Sequence, residues 1–152
     1  MFFCDTGVLH NLLGYVDMEE LEESPNAPLS WKGFAMESTI QRIRAGASEC
    51  FHWTVNTGQG IDLMVVRNGY RWGFEFKFDE RPRITRSMKM AMHELKLDRL
   101  DMIHSSIGPG ILDGKIPVHT VQSLYKSLRL PEGFERRAEF LALEEDLATE
   151  NN

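Results

Sequence analysis

The Asn68–Gly69 pair restricts the fold of this chain more than any other feature of its sequence. The tightest hairpin turns need positive φ at both central positions, and asparagine and glycine adopt that conformation at little cost. The segments on either side, 61–66 and 70–78, are rich in β-branched and aromatic residues. We therefore predict two adjacent antiparallel strands joined at this turn.

Helices are predicted on both sides of the hairpin in the chain. The first begins with Ser30 as N-cap and ends before Gly46, a residue type that suits a helix C-terminus. The second follows Pro82, with Ser87 as N-cap. Its apolar residues recur at the three- and four-residue spacing of a buried stripe, which comprises Met88, Ala91, Met92 and Leu95. Strands are also predicted at 51–55, 100–104 and 116–121, a helix at 122–128, and turns at 56–60 and 113–114.

The order of these elements predicts an α/β fold. It reads helix, three strands of which the second and third are antiparallel, helix, strand, with a short helix near residues 7–14 and further helical additions at the ends. A chain of 152 residues fits a single domain with one core. We place the domain at residues 1–130 and predict an acidic helical tail at 131–152.

Charge is segregated along the chain. Residues 17–23 and the tail 131–152 each carry a net charge of −5, whereas residues 24–130 hold fifteen Lys or Arg against ten Asp or Glu, a net of +5. Four basic residues follow the third strand with no acid among them: Arg81, Arg83, Arg86 and Lys89. We expect this basic run to contact DNA phosphates, the alternative being an ordinary solvated helix entrance.

The third strand carries the candidate chemistry. Alternation places Glu75 and Lys77 on one face of the strand and its phenylalanines on the other. The hairpin register brings Asp62, on the partner strand, across from Glu75. Two converging carboxylates suit Mg²⁺ or Mn²⁺ beside a phosphate, and Lys77 is then placed to assist phosphodiester hydrolysis. Glu37, on the first helix, can complete the set by holding a second metal or ordering a ligating water.

Spacing alone does not separate such a site from a polar sheet face with ordinary cross-strand charge pairs. Three features favour the site: the hairpin joins its pieces, helices bracket the strand, and a Glu-bearing helix lies upstream. The five histidines and two cysteines show no metal-ligand spacing, and no Gly-rich phosphate loop is present. With no apolar run or signal-peptide pattern, we expect a cytoplasmic protein without membrane contact.

Several short motifs together resemble a known family. They are Trp31-Lys32-Gly33-Phe34 with Glu37, Ile61-Asp62-Leu63, Phe74-Glu75-Phe76-Lys77, Thr85-x-Ser87-Met88 and the opening Phe2-Phe3-x-Asp5-Thr6-Gly7-Val8-Leu9. In this combination the chain, up to about Leu130, resembles domain of unknown function 4143, the C-terminal part of a group of predicted AAA+ ATPases. The chain departs from that pattern at Gly60, where relatives often carry a polar or acidic residue, and at Arg83, where Lys is usual.

The resemblance implies a fold and a set of functional residues. It places the chain in the PD-(D/E)xK superfamily, with a restriction-endonuclease-like core. It puts the metal-binding acids on Asp62 and Glu75, the catalytic lysine on Lys77 and the helix-one acid on Glu37. The backbone carbonyl of Phe76 is implied as a further metal ligand.

Two functional hypotheses follow. The first is a nuclease-like domain that hydrolyses DNA with Mg²⁺ or Mn²⁺ and is derived from or associated with an AAA+ ATPase. The second is a non-catalytic DNA- or protein-docking module of an ATPase that keeps the same fold, because fold does not fix function. The net charge of −6 and the acidic ends suit protein contact. The combination of Asp62, Glu75 and Lys77 suits catalysis.

Overall fold

The computed structural model describes residues 26–54, 60–78, 81–132 and 134. Within these ranges six strands form one mixed sheet, which confirms the predicted α/β class. The strands are Cys50–Thr54 (β1), Gly60–Arg67 (β2), Tyr70–Lys77 (β3), Arg99–His104 (β4), Gly110–Leu112 (β5) and Ile116–His119 (β6). The helices are Ala27–Ile43 (α1), Arg86–Glu94 (α2) and Leu124–Ser127 (α3), with 3-10 turns at Ala47–Glu49 and Val121–Ser123.

Some predicted segments lie outside the described residues. They are the short helix near residues 7–14, the acidic segment 17–23, most of the turn at 56–60 and the tail from residue 135 onward.

The predicted hairpin at Asn68–Gly69 is confirmed. Both residues have positive φ, 52° and 80°, and β2 pairs antiparallel with β3 from Arg67 opposite Tyr70 to Leu63 opposite Phe74. The strand order across the sheet is β1-β2-β3-β4-β6-β5. β1 is antiparallel to β2, whereas β4 runs parallel to β3 and β6 runs parallel to β4. The sheet therefore changes from antiparallel to parallel pairing between β3 and β4, where α2 makes the connection.

Apolar residues form one core cluster on each face of the sheet. On one face α1 packs against the aromatic side chains of β3, in a cluster that includes Ala35, Met36, Ile43, Trp72, Phe74 and Phe76. On the other face α2 packs against β2 and β4, in a cluster that includes Met88, Ala91, Ile61, Leu100 and Met102. Full burial of side chains of this size stabilises a fold by about 1.5–3 kcal/mol each, so the two clusters hold both helices on the sheet.

The α1-side core extends past residue 130, the predicted end of the domain. Phe134 is 0% exposed, and its ring meets Trp72 edge-on with 5.1 Å between ring centroids. The packed core therefore includes at least this residue of the predicted tail.

The predicted ends of the first helix are wrong. α1 begins at Ala27 rather than after Ser30, because Pro28 fits the first turn, where its missing N–H is not needed. Ser30 is instead buried inside the helix. The helix ends at Ile43, and Arg44 adopts the left-handed conformation (φ 50°) that Gly46 was expected to supply. A hydrogen bond from Arg67 to the Arg44 carbonyl (2.9 Å) holds that conformation.

The second helix also starts earlier than predicted. Thr85 is its N-cap rather than Ser87, and the Met88 N–H donates to Thr85 Oγ1 at 3.2 Å. Met92 is 37% exposed and does not share the burial of Met88. β5 was not predicted, because three residues that pair only with β6 are too few to display an alternating pattern.

Two buried polar clusters join the elements. Arg67 donates from Nε and Nη2 to the two carboxylate oxygens of Glu49 (2.7 and 2.8 Å). Its Nη1 donates to the Phe134 carbonyl (2.9 Å), so Arg67 links β2 to the 3-10 turn before β1 and to residue 134. Asp101 accepts two 2.6 Å hydrogen bonds from Arg99 and lies 3.0 Å from His119 Nε2. Both clusters satisfy their buried charges, as a stable interior requires.

Candidate functional site

Three of the predicted site residues, Asp62, Glu75 and Lys77, lie at one end of the sheet. This end comprises the start of β2, the end of β3 and the first turns of α1. Trp31 of α1 contacts Phe78 directly after β3, with 5.8 Å between ring centroids. That contact brings the beginning of α1 beside Lys77 and its neighbours.

A β-bulge sits at Asp62. Between the pairs Phe51–Met64 and Trp53–Ile61, β1 has only His52, whereas β2 has Asp62 and Leu63. Because of the extra residue, side chains two positions apart in β2 point to opposite faces of the sheet. Ile61 packs in the cluster on the α2 side, whereas Leu63 packs in the cluster on the α1 side. Bulges commonly re-aim a side chain at the edge of a functional site.

The paired register of β2 and β3 ends next to the two predicted metal-binding acids. Its last pair is Leu63 opposite Phe74, and Asp62 and Glu75 are the neighbours of these two residues in their strands. Asp62 Oδ2 accepts a hydrogen bond from the Phe76 N–H at 2.9 Å. The carboxylate of Asp62 therefore contacts the backbone of β3 next to Glu75.

Glu75 is a buried carboxylate with one oxygen left over. The residue is 6% exposed, and its Oε1 lies 3.1 Å from Lys77 Nζ. Its Oε2 is buried and has no hydrogen-bond partner among the described residues. Burial raises the pKa of Glu75 above its ordinary value, and the charge of Asp62 raises it further, while Lys77 and Lys32 act in the opposite direction.

Lys32 is a member of the site that the sequence reasoning did not identify. Its Nζ lies 2.5 Å from Asp62 Oδ1, and the two side chains are 30% and 13% exposed. Because the Phe76 N–H occupies Oδ2, both oxygens of Asp62 are engaged. Lys32 stands in the first turns of α1, and its contact with Asp62 depends on how α1 lies on the sheet, so the local sequence carries no signal for it.

Glu37 does not contact either acid in this structure. Its Oε1 accepts a hydrogen bond from Gln41 Nε2 at 3.1 Å on the exposed side of α1. The position beside Asp62 that the helix-one acid was expected to approach is held by Lys32. Among the residues the structure describes, no group of three or more His, Cys, Asp or Glu side chains could hold a metal ion.

His104, at the end of β4, is a second neighbour that the sequence did not indicate. It pairs with Lys77 in the parallel β3–β4 register and is 1% exposed. Its Nδ1 accepts the N–H groups of Ser106 and Ile107, both at 3.0 Å. An acceptor nitrogen carries no proton, so the hydrogen of the neutral ring lies on Nε2.

The basic run enters α2 from the end of β3. Its four side chains are exposed: Arg81 and Arg83 in the connection, Arg86 and Lys89 on the first turns of the helix. Arg81 follows Lys77 by four residues, which keeps the run close to this end of the sheet along the chain. Nothing in its exposure opposes the predicted contact with phosphates.

The core of the site is balanced in charge. Two carboxylates, Asp62 and Glu75, face two ammonium groups, Lys32 and Lys77, in the ion pairs described above. A divalent cation bound to the carboxylates would raise the net charge of these four groups from zero to +2. An anionic ligand would then be attracted to the same place.

No helix within the described ranges is long and apolar enough to cross a membrane.

Comparisons with known proteins found relatives of this chain. No protein-family model matches it, and no solved structure matches it. Two curated proteins are similar to it, both described as uncharacterized, from Mycobacterium bovis and Mycobacterium tuberculosis. Each is 35% identical over 104 residues, which are 68% of this chain and 23% of the relative. The chain therefore spans about a quarter of the length of the curated relatives that it matches.

Proposed function

We propose that this chain is a nuclease domain that hydrolyses DNA phosphodiesters with Mg²⁺ or Mn²⁺ bound by Asp62 and Glu75. The observation that carries the proposal is Glu75 Oε2, a buried carboxylate oxygen without a partner in the described structure. Leaving such an oxygen without a hydrogen bond costs about 1–3 kcal/mol, and a ligand bound to it would remove that cost. A hard cation that prefers oxygen ligands meets that need.

The order of the elements supports this proposal. A helix, three antiparallel strands, a helix and a parallel strand follow one another in α1, β1–β3, α2 and β4. This is the order expected of a restriction-endonuclease-like core, and it accords with the resemblance to domain of unknown function 4143. In such a core the acids and the lysine belong on the second and third strands, where Asp62, Glu75 and Lys77 lie.

The residues present fit the proposed cation. Asp62 and Glu75 would hold it, with the Phe76 carbonyl as the implied further ligand. A cation bound there would lower the pKa of a bound water and polarise the phosphoryl oxygen. Lys77, 3.1 Å from Glu75, would steady the developing negative charge, and the basic run would bind the flanking phosphates. Glu37 would act on an ordered water, if its side chain turns toward the site.

A second candidate function is a docking module that keeps the fold without catalysis. The observation that favours it is the ion pairing of both acids with lysines, which leaves the core of the site neutral. The chain matches only 23% of the length of each relative, which fits a module of a larger protein. The partner that we propose for such a module is an AAA+ ATPase, as the resemblance to domain of unknown function 4143 implies. In this case the acids and lysines only hold the ends of β2, β3 and α1 together.

Metal-dependent stability and DNA cleavage separate the two functions. A metal that binds only the folded state should stabilise it by about 2.7 kcal/mol at a hundredfold excess over Kd, so Mn²⁺ should raise the melting temperature of the wild type. Asp62→Asn and Glu75→Gln should abolish this rise. Lys77→Ala should retain it and lose cleavage of linear, branched and single-stranded DNA.

Asp113→Asn is the matched control, because Asp113 is exposed in a turn (φ 49°) that asparagine adopts equally well. It should behave as the wild type in both assays. A wild type that neither gains stability with Mn²⁺ nor cuts DNA would exclude the nuclease and leave the docking module.

A further inference from the structure

Lys32 is paired with the Asp62 carboxylate that the proposed metal ion would need. Oδ2 accepts the Phe76 N–H at 2.9 Å, and Oδ1 is paired with Lys32 at 2.5 Å. A cation held by Asp62 and Glu75, whose Oε2 has no partner in the described structure, would lie close to the Lys32 ammonium. Like charges at short range repel, so Lys32 opposes binding of the cation.

Lys32 is able to leave. Its side chain is 30% exposed, against 13% for Asp62, and it stands on the first turns of α1 at the open end of the sheet. A partly exposed lysine has a flexible four-carbon stem and a strongly hydrated ammonium, so moving it into solvent requires no rearrangement of the backbone. Glu75 remains paired with Lys77 throughout.

The charge balance indicates where the ammonium goes. The four groups Asp62, Glu75, Lys32 and Lys77 sum to zero, so a bound divalent cation leaves the site with two positive charges in excess. Phosphodiester anions of a nucleic acid would neutralise that excess. The displaced ammonium stays tethered beside them.

We propose that Lys32 is an exchangeable counter-ion, which holds Asp62 in the metal-free protein, is displaced by the divalent cation and then contacts a phosphate of the DNA. This inference rests on the proposed nuclease site and adds a residue that links metal binding to substrate binding. It makes Lys32 oppose the metal and favour the DNA. A lysine that serves only to stabilise α1 would do neither.

Mn²⁺ affinity tests the exchange. We would titrate Mn²⁺ against melting temperature in the wild type, in Lys32→Met and in Lys115→Met, a control that removes an exposed lysine from the β5–β6 turn. Loss of the competing ammonium should tighten Mn²⁺ binding by up to about fivefold in Lys32→Met, the upper end of the range for a partly exposed ion pair. Lys115→Met should match the wild type.

DNA binding tests the phosphate contact. In a Lys77→Ala background, which prevents cleavage, Lys32→Met should lower the slope of log affinity against log salt by about 0.9 with Mn²⁺ present. Without metal the slope should not change, because Lys32 is then held by Asp62. Lys32→Arg, which keeps the charge, should retain the slope with Mn²⁺.

The outcomes distinguish this inference from the proposed function. If the wild type binds Mn²⁺ and Lys32→Met binds it no more tightly, the exchange is refuted and the metal site stands. If only Lys32→Met binds Mn²⁺, Lys32 blocks the site permanently, and both the exchange and the proposed nuclease function of the wild type are refuted. If neither binds Mn²⁺, both ideas are refuted. A salt slope that falls equally with and without metal would refute the phosphate contact.

Discussion

Two buried carboxylates in this protein differ in what surrounds them. Asp101 is 0% exposed and is satisfied by Arg99 and His119, whereas Glu75 is nearly as buried and keeps one oxygen without a partner in the described structure. The first arrangement is what stability alone would produce. Only the second leaves an oxygen for a ligand, so the proposed function involves Glu75, whereas the contacts of Asp101 are those of a structural residue.

The raised pKa of Glu75 predicts how stability depends on pH. In the metal-free protein its contribution to stability should be fully present below the ordinary value of 4.5 and should be lost as the pH rises through the higher folded pKa. The cause is burial first and the charge of Asp62 second. Glu75→Gln, which cannot ionise, should remove this loss and leave the variant more stable than the wild type at neutral pH without metal.

Urea unfolding with a chelator present, between about pH 4 and pH 8, measures this dependence. Glu132→Gln, at an exposed position, is the control and should follow the wild type. Equal pH dependence in the wild type and Glu75→Gln would show that Glu75 ionises freely in the folded protein.

At the scale of elements, the local sequence predicted the strands more accurately than the ends of the helices. Asn68–Gly69 acts through its own backbone, so the hairpin could be predicted from two residues. The end of α1 could not, because Arg44 takes a left-handed conformation that is held by Arg67, from another element. Ser87 was predicted as the N-cap of α2, whereas Thr85 is the residue that caps it by accepting the Met88 N–H.

The same distinction applies to the candidate site. Alternation and the turn register were enough to predict that Asp62, Glu75 and Lys77 share one end of the sheet. The bulge at Asp62 depends on pairing with β1, and the Lys32 contact depends on how α1 lies on the sheet. Neither leaves a pattern in the local sequence.

Gly60 should be essential to the bulged edge of the site. A Cβ at this position would collide with the backbone of β1, at Trp53 O and at Thr54 Cα (3.0 Å), and these atoms cannot move aside. Gly60→Ala should therefore destabilise the protein by about 1–3 kcal/mol, as overpacking does. It should also weaken the Mn²⁺-dependent stabilisation, because Asp62 follows two residues later.

Gly110→Ala is the matched control. Gly110 is also in a strand, but a Cβ there would meet nothing within 4 Å. Its effect on stability should stay within about 0.5 kcal/mol. Thermal unfolding of both variants compares them, and equal melting temperatures would mean that β1 and β2 do not approach as closely as the structure indicates.

At the scale of the whole molecule, binding to DNA must overcome a net charge of −6. Attraction therefore has to come from a local region rather than from the overall field. The basic run is exposed and follows Lys77 closely along the chain, which makes it the region expected to supply that attraction.

Replacing all four residues of the basic run by Gln should lower the slope of log DNA affinity against log salt by up to about 3.6, which is four times 0.9. The loss should be similar for different DNA sequences, because phosphate contacts carry no sequence information. A charge-matched control replaces four other exposed basic residues: Lys96, Lys115, Lys126 and Arg129. If the control lowers the slope equally, binding is diffuse and the basic run has no special part in it.

Trp31, which contacts Phe78 at the candidate site, is an intrinsic fluorescent reporter. Trp31 is adjacent to Lys32, Trp72 is a residue of β3 with 0% exposure in the α1-side core, and Trp53 lies opposite Ile61, beside Asp62. Indole emission responds to nearby charge, so in a Trp53→Phe background displacement of the Lys32 ammonium by Mg²⁺ should alter fluorescence chiefly through Trp31. Trp31→Phe should remove most of that change and preserve the thermal stabilisation by the ion. The arrival of the cation can thus be followed in real time, without a label and without DNA.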